Sequence, residues 1–179
     1  MNKTQITELV QKVKSLTYAG DTTALANLRK AGNKNMRVFV IPYIKNPDSF
    51  RGNERQDETE LVILSTVGAV AAMMIPKGLD NNSRNLGCTF RSLYPTIKPT
   101  ERTEFIHPSF SALLSCRNIK QVCESVVRVS VYALNKGIKI DVEQLGKDLV
   151  EWMTDKETVK FNWVKGYLYG VNQKESQVE

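Results

Sequence analysis

The sequence is poor in the residues that most often do chemistry. It holds one histidine, His107, followed by Pro108, and three cysteines, Cys88, Cys116 and Cys123, with no Cys-x-x-Cys spacing. General acid–base catalysis draws most often on histidine, and a metal site needs three or four converging ligands. No His-Glu-x-x-His, Gly-x-Ser-x-Gly or phosphate-cradling glycine loop occurs either. Catalysis, a bound metal and a cofactor are therefore not expected, and an enzyme built around His107 is the weakest functional reading. The cysteines read as reduced, packed thiols. The paired carboxylates Asp148 with Glu151 and Asp155 with Glu157 are expected on helix surfaces or first turns. Long apolar runs are also scarce. The longest, residues 61–75, contains Ser65 and Thr66 and falls short of the roughly 18–20 residues that a membrane span needs. It reads as a buried core helix, and no membrane partner is expected. Residues 1–13 have no apolar core of signal-peptide length, so the cytoplasm is the expected location.

Acidic residues are missing from one particular stretch. None lies between Asp21 and Asp48, and there Arg29, Lys30, Lys34 and Arg37 fall within nine residues. The formal net charge is +6, and it is unevenly spread. Residues 1–56 hold ten Lys/Arg against four Asp/Glu, residues 57–140 ten against seven, and residues 141–179 five against eight. A basic front and an acidic end suit an acidic partner for the former. A protein that neutralises phosphates needs long cationic side chains that reach one backbone together. Arg29, Lys30, Lys34 and Arg37 can do this from a helix end and the turn after it, and Arg84, Arg91, Arg117 and Arg128 extend the track if their helices pack alongside. The plainer alternative is that Arg29 and Lys30 only offset a helix dipole, or that Arg91 and Arg128 pair with acids. Aromatic residues are not interleaved with these cations, so backbone contact rather than base stacking is the expected mode.

Helical periodicity dominates what is present. Residues 4–16 predict a first helix through Ile6, Leu9, Val10 and Val13. Asp21 caps a second with Ala24, Leu25, Leu28 and Ala31 inside, ended by Gly32. "MRVFVIPYI" is open between strand and short helix, and residues 47–56 read as loop. Residues 57–78 form the central buried helix, acidic at its start and stopped at Pro76 and Gly78. A fifth helix covers residues 83–93. Asn118 caps a helix with Ile119, Val122, Cys123, Val126 and Ala133 on one face and Lys120, Glu124 and Arg128 four apart on the other. Asp141 and Gln144 resemble a capping box ahead of Val142, Leu145, Leu149 and Trp152, and a last helix spaces Val159, Trp163 and Tyr167. The expectation is an all-α fold of two small packed bundles with about eight or nine helices. The proline-containing stretch 94–102 is the candidate boundary between an N-terminal bundle with a basic surface (1–98) and a C-terminal bundle (99–179).

From Arg128 onward the order Gly137, Asp141, Leu145, Asp148, Leu149, Trp152, Trp163, Tyr167 resembles the CasB family, the small subunit of the type I-E CRISPR Cascade complex. Gly87, Phe90 and Arg91 in "NLGCTFRSL", and "ALANLRKA" at 24–31, are similar to segments of that family, while Val142 stands where it often has an aromatic. The resemblance implies a non-catalytic, wholly helical subunit, present in two copies beside the crRNA-bearing subunits. Its basic surface would hold nucleic acid, above all the displaced strand of the target DNA. Arg29 and Arg91 sit in the matched segments, followed by Lys30 and Arg128. A helical adaptor that touches only proteins, its basic half docked on acidic neighbours, is the alternative.

Overall fold

The computed structural model describes residues 3–44, 54–80, 84–94 and 107–170. Among them the chain forms eight α-helices and two 3-10 segments and no strand; one isolated parallel bridge joins Asp80 to Ile140. The helices are α1 (Lys3–Tyr18), α2 (Thr22–Ala31), α3 (Glu54–Met74), α4 (Leu86–Leu93), α5 (Pro108–Leu114), α6 (Ile119–Lys136), α7 (Val142–Trp152) and α8 (Lys156–Tyr169). The 3-10 segments, Lys34–Tyr43 and Ile75–Lys77, follow α2 and α3. Side chains start the helices as their chemistry predicts. Asp21, Asn118 and Asp141 accept from the N–H groups of Ala24, Gln121 and Gln144 at 2.9, 3.0 and 2.8 Å, removing donors that the first turn leaves unpaired.

Helix α3 is apolar on nearly every side, and it packs against α1, α2, α6 and α7. Ser65 and Thr66 are tolerated at its centre because their hydroxyls donate to the carbonyls of Leu61 and Val62 at 2.6 and 2.9 Å. The segment Glu58–Lys77 is long and apolar enough to cross a membrane, yet 72% of its apolar window is buried inside the fold. One cluster of buried side chains runs from Ile6 in α1 to Tyr167 in α8 and draws on helices from both sides of residue 98.

Helix α4 meets α8 almost backbone to backbone. A Cβ on Gly87 would lie 1.8 Å from the Trp163 carbonyl oxygen, and one on Gly166 would lie 2.0 Å from Oδ1 of Asn85. Asn85 binds both helices: its Oδ1 accepts from the Cys88 N–H at 3.2 Å, and its Nδ2 donates to the Asn162 carbonyl at 2.8 Å. Beneath α8 lies Asp148, which the periodicity of α7 placed on a surface. It is 9% exposed and accepts from Trp163 Nε1–H at 2.6 Å and Gln144 Nε2–H at 2.7 Å. Burial outweighs both hydrogen bonds and pushes its carboxyl up to about 6.

Other departures have local causes. "MRVFVIPYI" falls in the first 3-10 segment, where Pro42 has no N–H to give to a continuing helix or a strand ladder. α3 begins at Glu54, three residues earlier than expected, while 45–53 and all of the boundary stretch except Tyr94 lie outside the described residues. α5 was not expected; Pro108 opens it at a position where a missing N–H costs nothing. Gly32 closes α2 with an ordinary right-handed backbone, and its small size serves packing instead. Cys88 and Cys123 are buried, which pushes the Cys88 thiol up and the Cys123 thiol up to about 12. Cys116 is half-buried, its Sγ 3.5 Å from the Ala112 carbonyl and 3.9 Å from Ser125 Oγ.

Two outcomes follow from these contacts. Gly87→Ala forces a methyl into the α8 backbone and should cost about 3 kcal/mol or more, read as a lowered urea midpoint. Unfolded aspartate titrates near 3.9, whereas Asp148 titrates at about 6 in the fold. Between those values the folded state holds more protons, so this group's stabilising contribution is complete below about pH 4 and lost by about pH 6. Comparing urea midpoints at those pH values, wild type should lose on the order of 2 kcal/mol relative to Asp148→Asn, which has no proton to release.

Candidate nucleic-acid interface

Two of the expected cations act with a third on the carboxylate of Glu58. Lys34 begins the first 3-10 segment, Arg37 lies one turn on, and Lys120 is in the first turn of α6. Lys120 hydrogen-bonds the Glu58 carboxylate. That bond and the Lys120 charge, with lesser contributions from Arg37 and Lys34, hold Glu58 below the ordinary carboxylate range. Among the described residues, Lys120 pairs with Glu58, and the charges of Lys34 and Arg37 act on the same carboxylate. The spacing on α6 predicted a Lys120–Glu124–Arg128 ladder, but Lys120 reaches across to Glu58, and Arg128 donates to Ser125 Oγ at 3.3 Å. A lysine placed before its glutamate is the weaker order on a helix, so a partner on another helix prevails. Lys120 is the cation that sequence reasoning missed, because its neighbours come from residues 34–58.

Arg29 and Lys30 occupy the last turn of α2 and are exposed. Arg29 Nε donates to the Ala72 carbonyl at 3.0 Å, so its charge offsets the negative end of α3. A Cβ on Gly32 would lie 2.9 Å from Ala69 Cβ and 3.6 Å from Val127 Cγ1. The end of α2 is thus pressed onto α3 and α6 beside Arg128. Arg84 and Arg91 form a separate pair on the α4 side, and both charges reach Cys88. Arg91 crosses to α8, donating to the carbonyls of Tyr167, at 3.3 Å, and Leu168. Arg117 is exposed at the head of α6. Among the described residues none of these eight predicted cations forms an ion pair with an acid.

The lone histidine caps α5. Its Nδ1 accepts from Ser109 N–H at 3.2 Å, its own N–H donates to Tyr167 Oη at 3.2 Å, and its ring stacks on Tyr94. Among the described residues no three His, Cys, Asp or Glu side chains are grouped to hold a metal ion. A cleft of about 540 Å³ between α1 and the end of the first 3-10 segment is lined by Glu8 as well as Lys12, which is not a phosphate-selective lining.

A protein-family model described as CRISPR-associated protein Cse2 matches residues 24–168, from α2 into the last turn of α8. The chain belongs to the Cse2 family. No curated protein and no solved structure matches it. As a Cse2-family member it is a non-catalytic subunit of the type I-E Cascade complex of CRISPR systems. Most of the residues that carried the likeness in the sequence hold the fold. Gly87 permits the α4–α8 crossing, Phe90 is wholly buried against Phe110, and Arg91 caps α8. Asp141 starts α7, Asp148 anchors Trp163, and Val142 is fully buried.

Arg91 and Arg84 should separate in a stability assay. Arg91→Ala removes charge-assisted bonds to the end of α8 and is expected to cost about 1–2 kcal/mol in urea unfolding. Arg84→Ala should leave the midpoint unchanged.

Proposed function

We propose that this Cse2-family subunit holds nucleic acid by its sugar-phosphate backbone, above all the DNA strand displaced when crRNA pairs with its target. It thereby stabilises the R-loop in antiviral defence. The observation that carries this reading is the excess of cations, among the described residues, where α2, the first 3-10 segment and α6 meet. There Lys34, Arg37 and Lys120 share Glu58, and Arg29 and Arg128 have no acid partner among the described residues. Assembling like charges is unfavourable unless an anion joins them, and a phosphate backbone supplies a row of anions. Guide–target pairing chooses the sequence, so a subunit that grips backbone has no bases to read. Exchange of duplex for heteroduplex is nearly balanced in energy in a single-protein guide system, so modest backbone contacts are enough to tip it. The partners in this reading are the crRNA-bearing Cascade subunits, the displaced strand, and a second copy, whose basic front faces the acidic 141–179 end of the first. The cytoplasm is where these meet.

Gel shifts on single-stranded DNA across a salt series test it. Affinity should fall linearly on logarithmic axes with a slope of about −0.7 per phosphate neutralised. Replacing Lys34 and Arg128 together by Gln should make the slope shallower by about 1.4 without changing the melting temperature. An unchanged slope would remove this seam from the interface, and no binding even at low salt would favour a protein-only adaptor.

A further inference from the structure

On α6 three residues follow one another at four-residue intervals: Arg128, Tyr132 and Lys136, all exposed. Such positions rise about 6 Å per step and the three fall within about 80° of arc, so they share one face. Tyr132 is 38% exposed and stacks on Tyr94, with ring centroids 5.8 Å apart and planes at 21°. Tyr94 in turn stacks on His107 at 3.5 Å and 9°. The pile is held from behind: Tyr94 leans on the buried Phe90 at 6.2 Å, and His107 is tied to Tyr167 and Ser109. Tyr132 is its outermost ring, with the Lys136 ammonium 5.8 Å from the ring centroid.

We propose that Tyr132 is a stacking platform for one base of a single-stranded nucleic acid, with Arg128 and Lys136 taking the phosphates on either side of it. This rests on the backbone-holding reading and adds a base contact to it. A supported aromatic ring between two cations joins the two elements of sequence-tolerant single-strand binding, since every base has a face to stack. Lys136 is long and flexible enough to leave the ring for a phosphate as the base arrives. The sequence did not show this, because the rings that support Tyr132 come from the C-cap of α4 and the N-cap of α5. A strand held here is fixed at a base as well as along its backbone, so paired DNA, whose bases are stacked inside the duplex, is excluded from the contact.

The test compares two labelled probes on the full chain by fluorescence anisotropy at one salt concentration: a thymidine oligonucleotide of about 20 nucleotides and an abasic strand of the same length. Wild type should bind the thymidine strand about ten-fold more tightly. Tyr132→Ala should abolish that preference while leaving abasic-strand affinity and its salt slope unchanged, and Tyr132→Phe should retain it. Equal binding of both strands by wild type, with salt dependence intact, overturns the stacking contact and leaves the backbone reading standing. Retention of the preference in Tyr132→Ala assigns it elsewhere and also overturns the proposal. Binding of neither strand overturns the backbone reading and this one with it.

Discussion

Helix α4 reaches α8 only because Gly87 and Gly166 carry no side chain where the two cross. Through that opening Asn85 binds both helices at once, and Arg91 crosses to close the far end of α8. With α8 held at its middle and its C-terminal end, Trp163 is set over Asp148 and Tyr167 over Phe110 and His107. A change of register between these helices would separate every one of those partners together. Each residue here is constrained by a neighbour's backbone, which cannot adapt as a side chain can.

The cationic faces obey a looser constraint. A phosphate chain can be met by long side chains from many positions, so charge matters more than place. Arg91 illustrates the difference. It reaches two carbonyls at the end of α8, a fixed target that depends on its exact place in α4. Glu58 has the opposite role to a bound anion's competitor in a neutral site: among Lys34, Arg37 and Lys120 it lowers the self-repulsion of the free protein.

Much of the fold was legible because it rests on local chemistry. Asp21, Asn118 and Asp141 announce helix starts, since a short polar side chain at that point satisfies N–H groups a few residues away. The apolar run of α3 announces a buried helix, since it leaves almost no polar face for water. What stayed hidden depends on distant partners. Asp148 lies beside the inner stripe of α7, and only the indole of Trp163, on the next helix, makes a buried carboxylate tolerable there. Helix α5 spans seven residues, too few for a period to declare itself. Lys120 and Arg29 likewise show the same sequence chemistry whether they meet an acid, a carbonyl or water, and only the crossing of α2, α3 and α6 decides which.

The three thiols differ in a way that bears on handling the protein. Cys88 and Cys123 are enclosed, and both are held in the protonated, unreactive form. Cys116, half-open at the turn between α5 and α6, is left as the sulfur that a maleimide reaches first. A fluorophore can therefore be attached at one defined spot on the native chain, three residues before the helix that carries Lys120, Arg128 and Tyr132, with no cysteine added or removed.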